Sequence, residues 1–415
     1  MRRMKESGCE RSVADVGERC CGCLSCASIC PKGCISVVTD GMGFRRPSVN
    51  ADACVSCALC RRVCPALSGR KKEDSISCRW VMADNADMLA SSSSGGAFGL
   101  LANRVLEAGG SVYGAAFDDG FRAVRHIRAA SFEEFKRVHG SKYVQSAVDP
   151  ALYREVERDL KSGLHVLWSG TPCQASACRG YLEAKGADMA RLLCVDVICH
   201  GVPSPRVWSN WLDWYEEKAG SPLVAVNFRS KETGWPGFSM AYVFENGERS
   251  TSRFESDWYC AAFNSNRSLR NACFACPARR HSGSDITLGD FWGFPQSHPD
   301  VDCRGGVSAV LANTDKGERA VKDILAGATW GAVDYMEIYA GNPSLEVNPK
   351  RPEDWSEFRG AVSTGESVDT LMAKWAFKPS AARRVKDVVF GAVKRVLGPR
   401  LVQRLQSARF ARKAG

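Results

Sequence analysis

No apolar run in this 415-residue chain approaches the ~20 residues that cross a bilayer, so any membrane contact is expected to be peripheral. A secretory leader is also missing: residues 1–17 are charged and contain no apolar h-region. The expected location is therefore the cytoplasm. No G-x-G-x-x-G follows an expected strand, which leaves a conventional nicotinamide-binding domain unsupported. Acidic residues are nearly absent from one stretch, where twelve Lys and Arg between Lys374 and Gly415 face the single Asp387. The formal charge of +10 belongs to that tail, because the rest of the chain carries 44 basic and 45 acidic side chains. A near-neutral body needs no polyanion, and nucleic-acid binding is not expected.

What the chain does have is cysteine, 20 in all, and eight of them fall into two copies of one pattern. Cys20, Cys23, Cys26 and Cys30 precede Pro31; Cys54, Cys57, Cys60 and Cys64 precede Pro65. Both copies read C-x2-C-x2-C-x3-C-P, the spacing of bacterial two-cluster ferredoxins, in which three thiolates hold one 4Fe–4S cube and the fourth reaches across to the other. Cluster one is then expected on Cys20, Cys23, Cys26 and Cys64, and cluster two on Cys54, Cys57, Cys60 and Cys30. Iron in a sulfide cage takes soft thiolates, and two-residue gaps aim three of them at one cube. Zinc sites take their ligands as two pairs rather than a run of four. Thiolates committed to iron also require a reducing compartment, which disfavours disulfides.

The expected fold is α/β (α+β): a small two-cluster ferredoxin-like domain, a larger mixed-sheet flavin and cluster domain, and a basic helical tail. Residues 1–14 read as a polar start, 15–68 as the cysteine module, 69–78 as a charged linker, 79–345 as the large domain, 346–378 as a connecting segment and 379–415 as the tail. Strands are expected at 79–83, 111–117, 165–168, 192–198, 223–228, 240–244, 286–290 and 307–312. A helix is expected at 97–106, and a hairpin turn at Asn246 and Gly247. Strands alternating with helices imply a mostly parallel or mixed sheet.

Four cysteines of the large domain fall in loops: Cys173 in GTPCQ, Cys199 in CHGVP, and Cys273 with Cys276 as a C-x2-C. Strand ends are where such sheets build ligand sites. These four suit a third cube, or else Cys173 is a lone nucleophile and the C-x2-C a zinc or redox pair. Cys9, Cys21, Cys34, Cys78, Cys178, Cys194, Cys260 and Cys303 are assigned to packing. The loop of Ser91 to Ser94 with Gly95 and Gly96 before a helix is either a phosphate cradle or a flexible connection. Lys142 and Tyr143 suit a flavin pyrophosphate or ring, or are a solvated Lys beside a packed Tyr.

Taken in order, SSSSGGAFG (91–99), GSKYVQS (140–146), GTPCQ (170–174), CHGVPSP (199–205), FRSK (228–231), CFAC (273–276) and SDITLGDFWG (284–293) resemble the β subunits of coenzyme F420-reducing hydrogenases and dehydrogenases. The resemblance covers roughly residues 79–312. It implies FAD and a third 4Fe–4S cluster on Cys173, Cys199, Cys273 and Cys276. It further implies a flavin site drawing on Ser93, Ser94, Gly95, Gly96, Lys142, Tyr143, Thr171 and His200, with Asp290 binding flavin, ordering the cluster loop or capping a turn. The catalytic residue is left unassigned.

The expected function is an iron–sulfur flavoprotein oxidoreductase passing electrons between a ferredoxin-type partner and a reducible organic substrate, deazaflavin-like or related to a polysaccharide pathway. The alternative is a non-catalytic electron-transfer subunit docking on another enzyme. In the tail, Val385, Val388, Val389, Ala392, Val393 and Val396 recur at helical spacing. With so many cations that helix either lies on an anionic membrane surface or docks on protein with its charges solvated.

Overall fold

The computed structural model describes residues 11–71 and 74–375. Cys9 and the basic helix expected over 379–415 lie outside the described residues.

The cysteine module is built on two turns of the same design. Leu24 and Ala58, each directly after the second cysteine of its run, adopt left-handed backbone with φ near +60° and cap the short helices Ser25–Ile29 and Leu59–Arg62. Left-handed backbone costs a non-glycine residue about 1 kcal/mol or more, so the turn is held by its surroundings. Between the helices, β1 (Ile35–Thr39) and β2 (Arg45–Val49) form an antiparallel hairpin. The module begins before residue 15: Ser12 caps a 3-10 turn whose Val13 and Val16 are buried.

The large domain follows with β3 (Ser77–Ala83), β4 (Ser111–Phe117), β5 (Val124–Ala129), β6 (Val166–Gly170) and β7 (Leu192–Val197). Then β8 (Leu223–Ser230), β9 (Ser239–Phe244) and β10 (Arg249–Arg253) make a separate three-stranded antiparallel sheet, its hairpin turning at Asn246 and Gly247. The chain returns through β11 (Ile286–Asp290), β12 (Ser308–Ala312) and β13 (Ala328–Ala332). The resulting eight-stranded mixed sheet has the order β13-β3-β12-β11-β7-β6-β4-β5. Strands β11, β7, β6 and β4 are parallel, so their carboxyl ends share one edge. Central β12 is buried at every position while β13 at the rim is mostly exposed, as sequence hydropathy requires of a sheet covered on both faces at its middle.

Module and large domain share one core. Cys20, Cys23, Cys26, Cys60 and Cys64 pack in the same apolar cluster as Tyr153, Trp168 and Tyr181. Tyr153 donates its hydroxyl to the Cys23 carbonyl at 2.7 Å, and Ser28 donates to the Pro150 carbonyl at 2.7 Å. The segment after 346 is also part of the body, because helices Trp355–Thr364 and Val368–Lys374 bury Phe358, Val362 and Leu371 against the second sheet's core.

Candidate functional site

The site sits where β6, β7 and β11 end. Strand β6 delivers Gly170 and then Thr171, whose side chain and Gln174 form a reciprocal capping box that starts helix Pro172–Ala184 with Cys173 in its first turn. Strand β7 runs out to Cys199 and His200. Cys273 lies in the 3-10 turn Asn271–Ala275, and Cys276 directly follows it. These four thiols surround a single cavity. Inside it, the Val202 N–H donates to Cys273 Sγ at 3.4 Å, and Arg279 fixes the loop by donating to the Cys199 carbonyl at 2.8 Å. Burial pushes the Cys273 thiol up to about 12 and also raises the Cys199 thiol well above its ordinary value. Cys173 moves the other way, down to about 7, because Cys21 hydrogen-bonds it and Thr171 adds a second contact at 3.2 Å.

Cys21 belongs to this site, against the expectation that it merely packs: it lines the same cavity as the four core thiols. Cysteine-run logic hides it, since it stands next to Cys20 and breaks no spacing.

In the module, Cys30 lines one cavity together with Cys54, Cys57 and Cys60. Cys64 is placed with the other set, where its charge and those of Cys20 and Cys23 act on Cys26. Cys34, assigned to packing, has its Sγ 3.4 Å from Cys30 Sγ. Cys57 is exposed, whereas Cys20, Cys23 and Cys26 are buried, so one set faces outward and the other faces the core. Among the described residues no group of three or more His, Cys, Asp or Glu is disposed around a single metal ion. A cube spreads its ligands over four irons, and thiols standing apart around a cage fit that group better than one ion.

Against the thiol cavity opens a cleft of about 680 Å³, within the size range of small-molecule sites. Ser93, Ser94, Gly96, Lys142, Tyr143, Thr171 and His200 line it. Gly95 is placed differently. Its N–H donates to Ser308 Oγ at 3.0 Å, and a Cβ there would strike the Val81 carbonyl, so that glycine is set by strand packing. Gly96, at φ +90°, begins helix Ala97–Glu107 without any side-chain cap, leaving backbone N–H groups toward the cleft. Ser93 Oγ accepts from the Ser141 N–H at 2.8 Å, joining two of the segments quoted above.

Lys142 is held by three carbonyls, those of Val138, His139 and Gly140, at 2.8 to 3.2 Å, and burial draws it down to about 7. His200 bonds Asn266 Oδ1 at 2.7 Å, and burial lowers its proton affinity. His126, which stands in no motif, lines the cleft and is held neutral by burial at about 4, bonded to Ser146 and the Ser169 carbonyl.

Asp290 neither caps a turn nor contacts the thiols. It receives both terminal nitrogens of Arg229 and the indole N–H of Trp235. Arg229 in turn donates to the Tyr143 hydroxyl at 3.1 Å and stacks 3.8 Å from the Phe238 ring centre. Lys231 donates to the carbonyls of Leu89, Ser94 and Gly305 at 2.5 to 2.7 Å, tying down the serine loop. Both cations stand in the FRSK segment, a signal present in the sequence whose role only the packing reveals.

Comparison with known proteins finds partial matches. The family described as the C terminus of the beta subunit of coenzyme F420 hydrogenase/dehydrogenase matches residues 164–334, the stretch that carries β6, β7, β11 and all four core thiols. A curated relative, the F component of the F(420)H(2) dehydrogenase of Methanosarcina mazei, is 23% identical over 200 residues, which are 45% of this chain and 56% of the relative. The matched region thus spans little more than half the relative's length. A chain of the F420-reducing NiFe hydrogenase complex from Methanosarcina barkeri aligns over 71% of this chain and 90% of its own, at 16% identity and a TM-score of 0.45. Residues 164–334 are thus similar to the C-terminal part of coenzyme F420 hydrogenase/dehydrogenase β subunits. Among the described residues no helix is long and apolar enough to cross a membrane.

Proposed function

We propose that the chain is an iron–sulfur flavoprotein oxidoreductase subunit that carries electrons between a ferredoxin-type partner protein and a reducible organic substrate. One observation carries the reading: Cys199 lines both the four-thiol cavity and the large cleft, so the two compartments share a wall. Cys20, Cys23, Cys26 and Cys64 would hold an inner cube, Cys30, Cys54, Cys57 and Cys60 an outer one, and Cys173, Cys199, Cys273 and Cys276 a third. Exposed Cys57 makes the outer set the contact point for the partner. The relative's name, a component of an F420H2 dehydrogenase, supports a deazaflavin as the substrate class.

FAD would lie in the cleft, and when bound it supplies the conversion between two-electron hydride chemistry and one-electron transfer. The residues divide the work of holding it. The uncapped helix start at Gly96, with Ser93 and Ser94, offers N–H and O–H donors to a pyrophosphate, and Lys142 adds a cation that burial keeps near neutrality. Thr171 and His200 stand at the end beside the thiols. Burial lowers the proton affinity of both His126 and His200 beside it.

Iron and flavin content of anaerobically purified protein tests the proposal. About twelve irons and one FAD per chain support three cubes and a flavin. About eight irons without flavin would overturn the enzyme reading and leave an electron-transfer subunit.

A further inference from the structure

Module and core meet at one buried guanidinium. Arg270 is 4% exposed, and its Nε donates to the Cys20 carbonyl at 2.6 Å, Nη1 to Gln145 Oε1 at 2.9 Å and Nη2 to the Arg45 carbonyl at 2.9 Å. Nη2 also stands 3.7 Å from Cys20 Sγ. The same side chain lines the cavity of the four core thiols. Residue 21 completes the junction, since the Cys21 thiol turns away from the Cys20 set to hydrogen-bond Cys173, while its carbonyl accepts from Gln145 Nε2 at 2.9 Å. At Gly22 the backbone has φ +73°, and a Cβ would collide with the guanidinium, so Arg270 fits only because residue 22 has no side chain.

Among the described residues no carboxylate pairs with Arg270; its partners are carbonyls, an amide and a sulfur. A buried cation with only neutral partners is costly unless an anion lies close. The anions in reach are the thiolates on either side.

We infer that Arg270, together with Cys21, is the coupling element between the inner module centre and the core centre: the guanidinium raises the reduction potential of both, and the Cys20–Cys21 peptide with the Cys21–Cys173 hydrogen bond is the route between them. The inference rests on the cluster assignment proposed above. A fixed positive charge stabilises an added electron on either side, and a thiol proton donated to Cys173 does the same for the core side. The step is the transfer of one electron, with the Cys20 side oxidised and the Cys173 side reduced, or the reverse. No bond forms or breaks and no proton leaves.

The test is a potentiometric titration of full-length, anaerobically reconstituted protein followed by electron paramagnetic resonance. In Arg270→Gln with about twelve irons retained, the midpoints of the inner and core signals are expected to fall while the outer signal stays. In Arg270→Lys, which keeps the charge, they stay close to the parent. Three unchanged midpoints in Arg270→Gln would overturn the inference. Should that variant lose iron, Cys21→Ala decides: iron content holds and the core midpoint alone falls, and an unmoved core midpoint again overturns it. A parent protein with only about eight irons would instead remove the core centre itself, a failure read from metal content and not from any shift.

Discussion

Arg229 grips Asp290 through both terminal nitrogens, at 2.6 and 2.8 Å, with only 2% of the arginine side chain exposed. The pair joins β8 of the small sheet to the end of β11 in the large one, under the aromatic wall of Phe238 and Trp292. The Arg229 guanidinium stays protonated with or without its partner, so removing the carboxylate leaves a buried cation unpaired. Asp290→Asn is expected to cost roughly 3–5 kcal/mol in chemical denaturation. The double change Arg229→Met with Asp290→Leu is expected to recover most of that loss, because neither charge then remains buried. Equal stability of Asp290→Asn and the parent would show that the pair does not clamp the two sheets.

The crossing of ligands proposed for the module has its own signature. Cys30→Ser is expected to remove the centre of Cys54, Cys57 and Cys60, and Cys64→Ser the centre of Cys20, Cys23 and Cys26, each with a loss of about four irons. Resonance spectra of the remaining centres identify which was lost. Loss of the same centre in both variants would contradict the placement of Cys30 among the second run.

On the proposed reading, Lys142, drawn down to about 7 by burial, is expected to make flavin binding depend on pH. Below that value the ammonium is present and attracts a pyrophosphate; as pH rises through it the charge is lost and affinity weakens, by at most about tenfold per unit. FAD titrations from roughly pH 6 to about pH 8.5 should show this slope in the parent and a flat, weaker profile in Lys142→Met. A parent profile as flat as the variant's would remove Lys142 from the pyrophosphate site.

Glu318 is pulled down to about 2, first by its hydrogen bond from Arg79, which ties helix Asp315–Ile324 to β3. Its carboxyl binds protons less readily folded than unfolded. The contribution is therefore present above the unfolded value near 4.5 and disappears as pH falls through about 2. Glu318→Gln is expected to lose about 1–2 kcal/mol at about pH 7, with parent and variant converging only below about pH 2. A constant difference across that window would assign the effect to packing.

Much of both sheets could be read from the chain: strands 111–117 and 286–290 of the large sheet, which are mostly buried, and the hairpin around Gly247 of the small one stand where the sequence pattern places them. The strands that sequence reading misses lack a clear pattern. Val124–Ala129 is interrupted by Arg125, His126 and Arg128, and Ala328–Ala332 is small-residue chain that pairs only at the rim. The hairpin Ile35–Thr39 and Arg45–Val49 is overshadowed by the cysteines on either side. Of the candidate site, the eight module cysteines are legible because their spacing is local in sequence, whereas Cys173, Cys199 and the pair Cys273 and Cys276 lie far apart in the chain and are singled out as one set only by resemblance. Arg270, Arg229 and Cys21 are not legible, because each acts through partners far along the chain: 250 residues separate Arg270 from Cys20. Nothing local distinguishes a guanidinium that will be buried from one that will be solvated.

The shared core beneath Cys23 and Cys26 has a dynamic consequence. With Tyr153 and Ser28 bonding across the boundary and Trp168 packed in the same cluster, the module is seated rather than tethered. On the proposed reading, every internal hop then occurs over a fixed gap, at a rate indifferent to dilution and to solvent viscosity. Only the encounter at the Cys57 rim depends on how often another protein arrives.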